Sequence, residues 1–316
     1  MTALSNASMD LQKSVRAWLM MARIPFHTVG VFPFCLGAVL AWRLSGYFSW
    51  GVFVWGTLAV VLIMLSTYLA GEYYDLAEDR LSGQMERNPF TGGSQALVYG
   101  MVPRHYPRVG SYVALSLAGA IGLLLQFHYR TGPWTIPLGL LGMVSGFFYS
   151  TRPIRWVNRG IGEIIIGFSY GWLPIAASFY IQTGELHPLV HLMSLPVGLS
   201  IFNVILINEF PDYPADLSEG KKTLTVRLGK KTASYIYALA SMGGVALYPL
   251  AVTAGLSAYT ILLYLPAAAL SFMATAGMLT GRYNDRKALE RMCGITIAIN
   301  WLFALTYLTG IWIWGL

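Results

Sequence analysis

The chain reads as an all-α polytopic membrane protein: one domain, residues 1–316, with nine transmembrane helices bundled around a central cavity. Three observations predict this. Of its 316 residues, 56% are hydrophobic and only 11% are charged, whereas a soluble domain is roughly a quarter charged. Repeated apolar runs reach the roughly 20 residues that a bilayer crossing needs. The 21 Lys and Arg residues gather in alternate loops between those runs.

The amino-terminal stretch Met1–Arg16 is polar, with Asp10, Lys13 and Arg16. The first expected span, Ala17–Trp42, has no small-residue cleavage site, so it reads as a spanning helix rather than a removable signal. The spans expected after it are Ser49–Gly71, Arg108–Phe127, Pro133–Ser150 and Ile161–Ile181. Pro188–Asn208, Thr232–Ala254, Ala258–Thr280 and Met292–Leu316 follow. An odd count puts the termini on opposite sides. With the amino terminus in the cytoplasm, nineteen of the 21 basic residues fall on the cytoplasmic face, leaving Arg43 and Arg130 opposite. That asymmetry is the positive-inside signal. The expected place is therefore the cell (inner) membrane, and the net charge of +7 suits an anionic lipid surface. No nucleic-acid partner is expected.

The same face receives two acidic clusters. The first is Glu72-Tyr73-Tyr74-Asp75-Leu76-Ala77-Glu78-Asp79; the second runs from Asn208-Glu209 through Asp212 to Asp216. Each follows an apolar run. Ionisable groups at a membrane edge are expensive and mark working sites. On a helix, residues three and four apart share a face, so Glu72, Asp75 and Asp79 can point into one cavity. Asn208, Asp212 and Asp216 are likewise four apart, but Pro211 and Pro214 predict that the sixth span ends within this motif.

Carboxylates this close repel unless a cation or retained protons neutralise them. Hard oxygen ligands beside water suit Mg²⁺, which bridges a few carboxylates to substrate phosphates. Asp75, Asp79, Asp212 and Asp216 are the candidate catalytic and metal-binding residues, with Glu72 and Asn208 as further ligands. Basic residues follow both clusters: Arg80 and Arg87, then Lys221, Lys222 and Arg227. Acids, metal and bases together describe a diphosphate site. An apolar bundle behind such a site suits a polyprenyl diphosphate. An allylic cation formed from it would need π-faces, and Tyr73, Tyr74, Phe147, Phe148, Tyr149 and Phe202 are available. A cation-coupled transporter is the rival class. The acids gather at one mouth and the span centres are almost free of charge, which argues against a through-pathway.

Nearly the whole chain resembles the UbiA superfamily of intramembrane prenyltransferases. Asn208, Asp212 and Asp216 match the family pattern N-x-x-x-D-x-x-x-D, and Gly220-Lys221-Lys222-Thr223-Leu224-Thr225-Val226-Arg227-Leu228-Gly229 is similar to the stretch that follows it. In the first motif Asp75 and Asp79 match, but Gly71 stands where the Asn is expected and Glu72 follows it. Asn88-Pro89-Phe90-Thr91-Gly92-Gly93-Ser94, Phe148-Tyr149-Ser150 with Arg152-Pro153, and Gly160-Ile161-Gly162-Glu163 also resemble family elements. The last two resemble the dihydroxynaphthoate (menaquinone, vitamin K) branch.

The resemblance implies Mg²⁺-dependent transfer of a polyprenyl group to an aromatic small-molecule acceptor. Glycerol phosphate and tetrapyrrole alcohols are the alternative acceptors. Arg23, Glu72, Tyr149, Asn208, Lys221, Lys222 and Arg227 become candidate substrate-binding residues. Arg23 either grips an anion or snorkels to the interface. Glu163 either faces the cavity or pairs with Arg155 or Arg159. Cys35 and Cys293 form no disulfide framework. His187 and His191 are the only histidines at metal-ligand spacing, and an interfacial pair is the commoner use of it.

Overall fold

The computed structural model describes residues 2–84 and 93–315, with side chains from Gln12 onward. Arg87 and Asn88–Gly92 lie outside the described residues. Helix α1 (Thr2–Ala22) stops at Arg23, whose backbone is left-handed (φ 47°, ψ 47°). Pro25 has no N–H to continue the ladder, and a 3₁₀ turn, Ile24–His27, leads into α2 (Thr28–Ser45). The first expected span is therefore broken, and the break carries Arg23. Ahead of it, Ala17 and Met21 pack on Leu69, Leu76 and Leu97.

Ser49 caps α3 (Trp50–Tyr74) by accepting the Val52 N–H at 3.4 Å, as an N-cap serine does. Short α4 (Leu76–Gln84) follows directly. Helix α5 (His105–Leu123) is lengthened by a π turn to His128, and α6 covers Thr135–Phe147. The fifth expected span is two helices, α7 (Gly162–Tyr170) and α8 (Trp172–Thr183), broken at Gly171. A Cβ on Gly171 would strike the Gly198 backbone, so glycine here lets α7 and α8 touch the next helix.

That helix, α9 (Pro188–Ser218), corrects the sequence expectation. It does not end within the second acidic cluster but continues to Ser218 with Pro196, Pro211 and Pro214 inside. Each proline removes one backbone donor, and neighbouring turns hold the helical order. The carboxyl-terminal part comprises α10 (Leu224–Leu247), α11 (Leu250–Thr253), α12 (Thr260–Leu279) and α13 (Arg286–Trp314).

Among the described residues, eight helical stretches are long and apolar enough to cross a membrane. The nine expected spans are not reached by length: α6 has 13 residues, about 20 Å of helix against a hydrocarbon core of about 30 Å. The main core lies among α2, α8, α9, α10, α12 and α13, around Leu36, Ile175, Ile207, Tyr237, Phe303 and Tyr307. The outer surface is also apolar: Trp50, Leu239, Leu262 and Phe272 are all more than half exposed. Helices apolar on both faces are those of a membrane bundle.

Candidate active site

One cavity of about 230 Å³ lies between α3 and α9. On α9, Ile201, Val204, Ile205, Asn208, Asp212 and Asp216 all line it. They repeat at three and four residues and so occupy one helix face. On α3, Thr67, Tyr68 and Gly71 line it, and Asp75 continues their row as the helix C-cap. Asp79, Arg23, Tyr149 and Lys221 also line it. The four aspartates from the two clusters thus share one enclosure.

Asp75, Asp212 and Asp216 are each held by a partner. Asp75 Oδ2 accepts from Ser150 Oγ at 2.6 Å, and Oδ1 from the Arg155 guanidinium at 2.9 Å. Arg155 also donates to Glu78 Oε1 at 2.6 Å. The carboxylates of Asp75 and Glu78 outweigh the effect of burial and hold the Arg155 guanidinium above its ordinary pKa. Ser82 of α4 donates to Asp212 Oδ1 at 3.0 Å, tying the first cluster's helix to the second motif. Lys221 lies 3.5 Å from Asp216. Burial by itself would lower the Lys221 pKa, but Asp75 and Asp216 raise it well above the usual lysine value. Lys221 is therefore a fixed positive charge in the wall.

Asp79 is the strained member. Burial first, then the negative charges of Glu72 and Asp75, push its carboxyl well above the ordinary range. It packs against Gly93, whose φ of 62° and contact with the Asp79 carboxylate leave no room for a Cβ. A raised pKa means that the folded state holds the proton more tightly than the unfolded chain. Stability without a divalent cation therefore falls as pH rises above the ordinary aspartate value, and Asp79→Asn flattens that slope. Thermal unfolding of wild type and variant across pH, with and without Mg²⁺, checks this; Mg²⁺ should also suppress the wild-type slope.

Other expected site residues are placed elsewhere. Glu72 is buried, its carboxylate accepting from Ser94 N–H at 2.8 Å and Ser94 Oγ at 2.7 Å, with Arg23 at 3.4 Å. It anchors the loop before residue 96 rather than lining the cavity. Lys222 is exposed, and Arg227 donates to the Lys222 and Asn158 carbonyls at 2.9 and 2.8 Å. Neither lines the cavity: of these three basic residues only Lys221 does, together with Thr223 of the same turn. Arg80 is exposed. Of the six expected π-faces, Tyr149 is in the wall and the other five are not. Tyr73 lies outside it, beneath Arg104 and Arg108. Tyr68 and Tyr170 take the place of the missing rings. Glu163 pairs with neither Arg155 nor Arg159; it accepts the Leu224 N–H at 3.0 Å. His191 Nδ1 accepts from Trp172 at 2.9 Å and His187 Nδ1 caps α9 at 3.2 Å, so one nitrogen of each ring is engaged within the protein.

Among the described residues, no three His, Cys, Asp or Glu side chains converge tightly enough to hold a bare metal ion. The donor set still fits magnesium. Its oxygens are hard ligands, and Mg²⁺ draws the rest of its shell from water and phosphate. Asn208 Oδ1 is buried in the wall without a hydrogen-bond partner, and such an orphaned acceptor calls for a ligand.

The model of the UbiA prenyltransferase family matches residues 30–303. The chain belongs to the UbiA prenyltransferase family. As a family member it is an enzyme that transfers prenyl groups, which sets the transporter reading aside. It is 28% identical over 226 residues to the 2-carboxy-1,4-naphthoquinone phytyltransferase of Synechocystis, covering 71% of this chain and 70% of that one. The 1,4-dihydroxy-2-naphthoate octaprenyltransferase of Escherichia coli is 27% identical over 231 residues, 72% of this chain and 73% of its own.

A UbiA homologue from Aeropyrum pernix superposes with a TM-score of 0.68 at 20% identity, over 92% of this chain and 98% of that one. A homologue from Archaeoglobus fulgidus bound to GPP and Mg²⁺ gives 0.66 at 16% identity, over 93% and 99%. The fold is therefore that of the family.

Against the family pattern, Gly71 leaves space. A Cβ there would sit 3.8 Å from Ser150 Oγ and 3.9 Å from Asp75 Oδ2, so a larger side chain at this position would occupy the cavity. Ser82, Tyr68 and Tyr170 were not picked out from the sequence, and Arg155 was named only as a candidate partner of Glu163. Tyr68 carried a signal, since it precedes Asp75 by seven residues, two turns along the same face.

Proposed function

We propose that this enzyme transfers a polyprenyl group from a polyprenyl diphosphate to an aromatic acceptor of the dihydroxynaphthoate class. The reaction takes place at the cytoplasmic mouth of the bundle, with the amino terminus also cytoplasmic, in the cell (inner) membrane. One observation carries the reading: the aspartate-lined cavity and a second, apolar cavity of about 340 Å³ share the wall residue Tyr170. Val60, Ile63 and Met64 of α3 line the apolar cavity, and Thr67, Tyr68 and Gly71, further along α3, line the polar one. A charged head and a long hydrocarbon tail therefore find adjoining rooms.

Asp75, Asp79, Asn208, Asp212 and Asp216 would hold Mg²⁺, which supplies positive charge to the departing pyrophosphate. Lys221 and Arg23 add fixed positive charge from the protein. The diphosphate leaves with the bonding electrons of the allylic C–O bond. Tyr149, Tyr68 and Tyr170 offer ring faces to the carbocation. A ring carbon of the acceptor bonds to it, and the ring then loses a proton or carbon dioxide. The acceptor class rests on the naphthoate-directed relatives and on the Gly160–Glu163 run, which resembles the same branch.

The test incubates full-length enzyme and labelled polyprenyl diphosphate with a panel of acceptors. Prenylated product should form with a dihydroxynaphthoate and should require Mg²⁺. Transfer to glycerol phosphate or a tetrapyrrole alcohol instead would overturn the acceptor class; no transfer to any acceptor would overturn the reading as a whole.

A further inference from the structure

Helix α10 starts three residues after Lys221, and its first backbone donors are held by long-range partners. The Leu224 N–H donates to Glu163 Oε1 at 3.0 Å, and the Thr225 N–H to Glu209 Oε2 at 2.9 Å. Only the Val226 N–H takes the local cap, Thr223 Oγ1, at 3.4 Å. A helix start is ordinarily satisfied by its own N-cap side chain and water. Here two acids from other helices, α7 and α9, do that work.

Both are deeply buried: Glu163 is 0% exposed and Glu209 is 6% exposed. Among the described residues, no Lys or Arg forms an ion pair with either. Their second oxygens, Glu163 Oε2 and Glu209 Oε1, meet no N–H or O–H donor. The two carboxyls lie beside each other. Two acids buried without a cation are far more expensive than a helix start requires. Their location gives the reason. Glu209 adjoins Asn208 and itself lines the cavity. The turn they clasp carries Lys221, whose N–H bonds the Asp216 carbonyl at 2.8 Å.

We infer that Glu163 and Glu209 are positioning residues: by clamping the first turn of α10 to α7 and α9, they fix Lys221 over the aspartates for the diphosphate head. This rests on the prenyl-transfer reading above. The test is a double-mutant cycle on the full-length enzyme, combining Glu163→Ala or Glu209→Ala with Lys221→Met. Each glutamate variant should raise the donor KM about tenfold, the scale of one lost charge-assisted hydrogen bond, and leave the acceptor KM unchanged. In the Lys221→Met background the same change should add less than about twofold, because coupled residues are not additive.

Glu163→Gln should rescue the donor KM, since its amide accepts from Leu224 and donates to Glu209. Glu163→Gln with Glu209→Gln should not, because two amide NH₂ groups then face each other. This glutamine pair carries the test if the alanine variants do not fold. Additive effects with Lys221→Met, an equal rise in acceptor KM, or lower thermal stability at unchanged donor KM would each overturn the inference. If the wild type transfers no prenyl group, the functional reading fails instead. The same cycle is then read by the affinity of the Mg²⁺-loaded protein for inorganic pyrophosphate.

Discussion

Asp212→Ala should lower Mg²⁺-dependent prenyl transfer by about 10²–10³-fold, the scale of losing one preorganised charge-stabilising group, with the protein still folded. Asp212 lies on the cavity face of α9, and Ser82 Oγ holds one of its oxygens from α4. Removing the carboxylate takes a hard ligand from the enclosure without opening the hydrophobic core. Asp75→Ala should have an effect of the same size, although it also removes one of the two acids that orient Arg155 and leaves Glu78 alone to do so. The double variant should be little worse than either single one, because residues that act as a unit are non-additive. Rates measured at a series of Mg²⁺ concentrations, alongside thermal unfolding, check all three proteins. Full additivity would mean that the two clusters serve separate sites, and the single-enclosure account would fail.

The second large effect concerns the tail. Gly122 and Gly139 line the apolar cavity, and a Cβ built on either meets nothing within 4 Å. Gly139→Leu should therefore add a side chain to empty space without displacing protein atoms. A leucine side chain would fill part of a cavity of about 340 Å³. Transfer from long polyprenyl diphosphates should fall by about a hundredfold, the factor set by about 3 kcal/mol of lost or strained apolar contact. Donors with one or two isoprene units should react at near wild-type rates. A donor-length series for wild type, Gly122→Leu and Gly139→Leu measures this. Equal losses for short and long donors would show that the tail lies elsewhere.

Much of this was legible in the sequence because hydropathy and helical spacing are local properties. The four-residue steps of Asn208, Asp212 and Asp216 placed them on one face, and the structure keeps them there. The prolines misled: a helix that loses a donor at Pro211 and Pro214 can still continue when its neighbours hold it, and neighbours are invisible in a linear reading. The broken fifth span follows from a Gly171–Gly198 contact between helices, which no window on one segment reports. Arg155 reaches Asp75 from a left-handed backbone (φ 49°), a conformation that a non-glycine residue adopts only when its surroundings enforce it. Glu72 was drawn into the metal set by its spacing from Asp75, but a full backbone and hydroxyl partnership with Ser94 claims it. The shortness of α6 was hidden because apolar residues continue past both of its ends.

Asp75 waits 80 residues along the chain for Arg155 and far longer for the helix that bears Asp212. During synthesis, therefore, the first acidic group reaches the bilayer rim before any of these partners exists. Until α9 is inserted it must remain in water, and the half-built protein has no means to hold pyrophosphate. Catalytic competence is thus acquired late and all at once, and a chain truncated before residue 208 would be an inert membrane passenger.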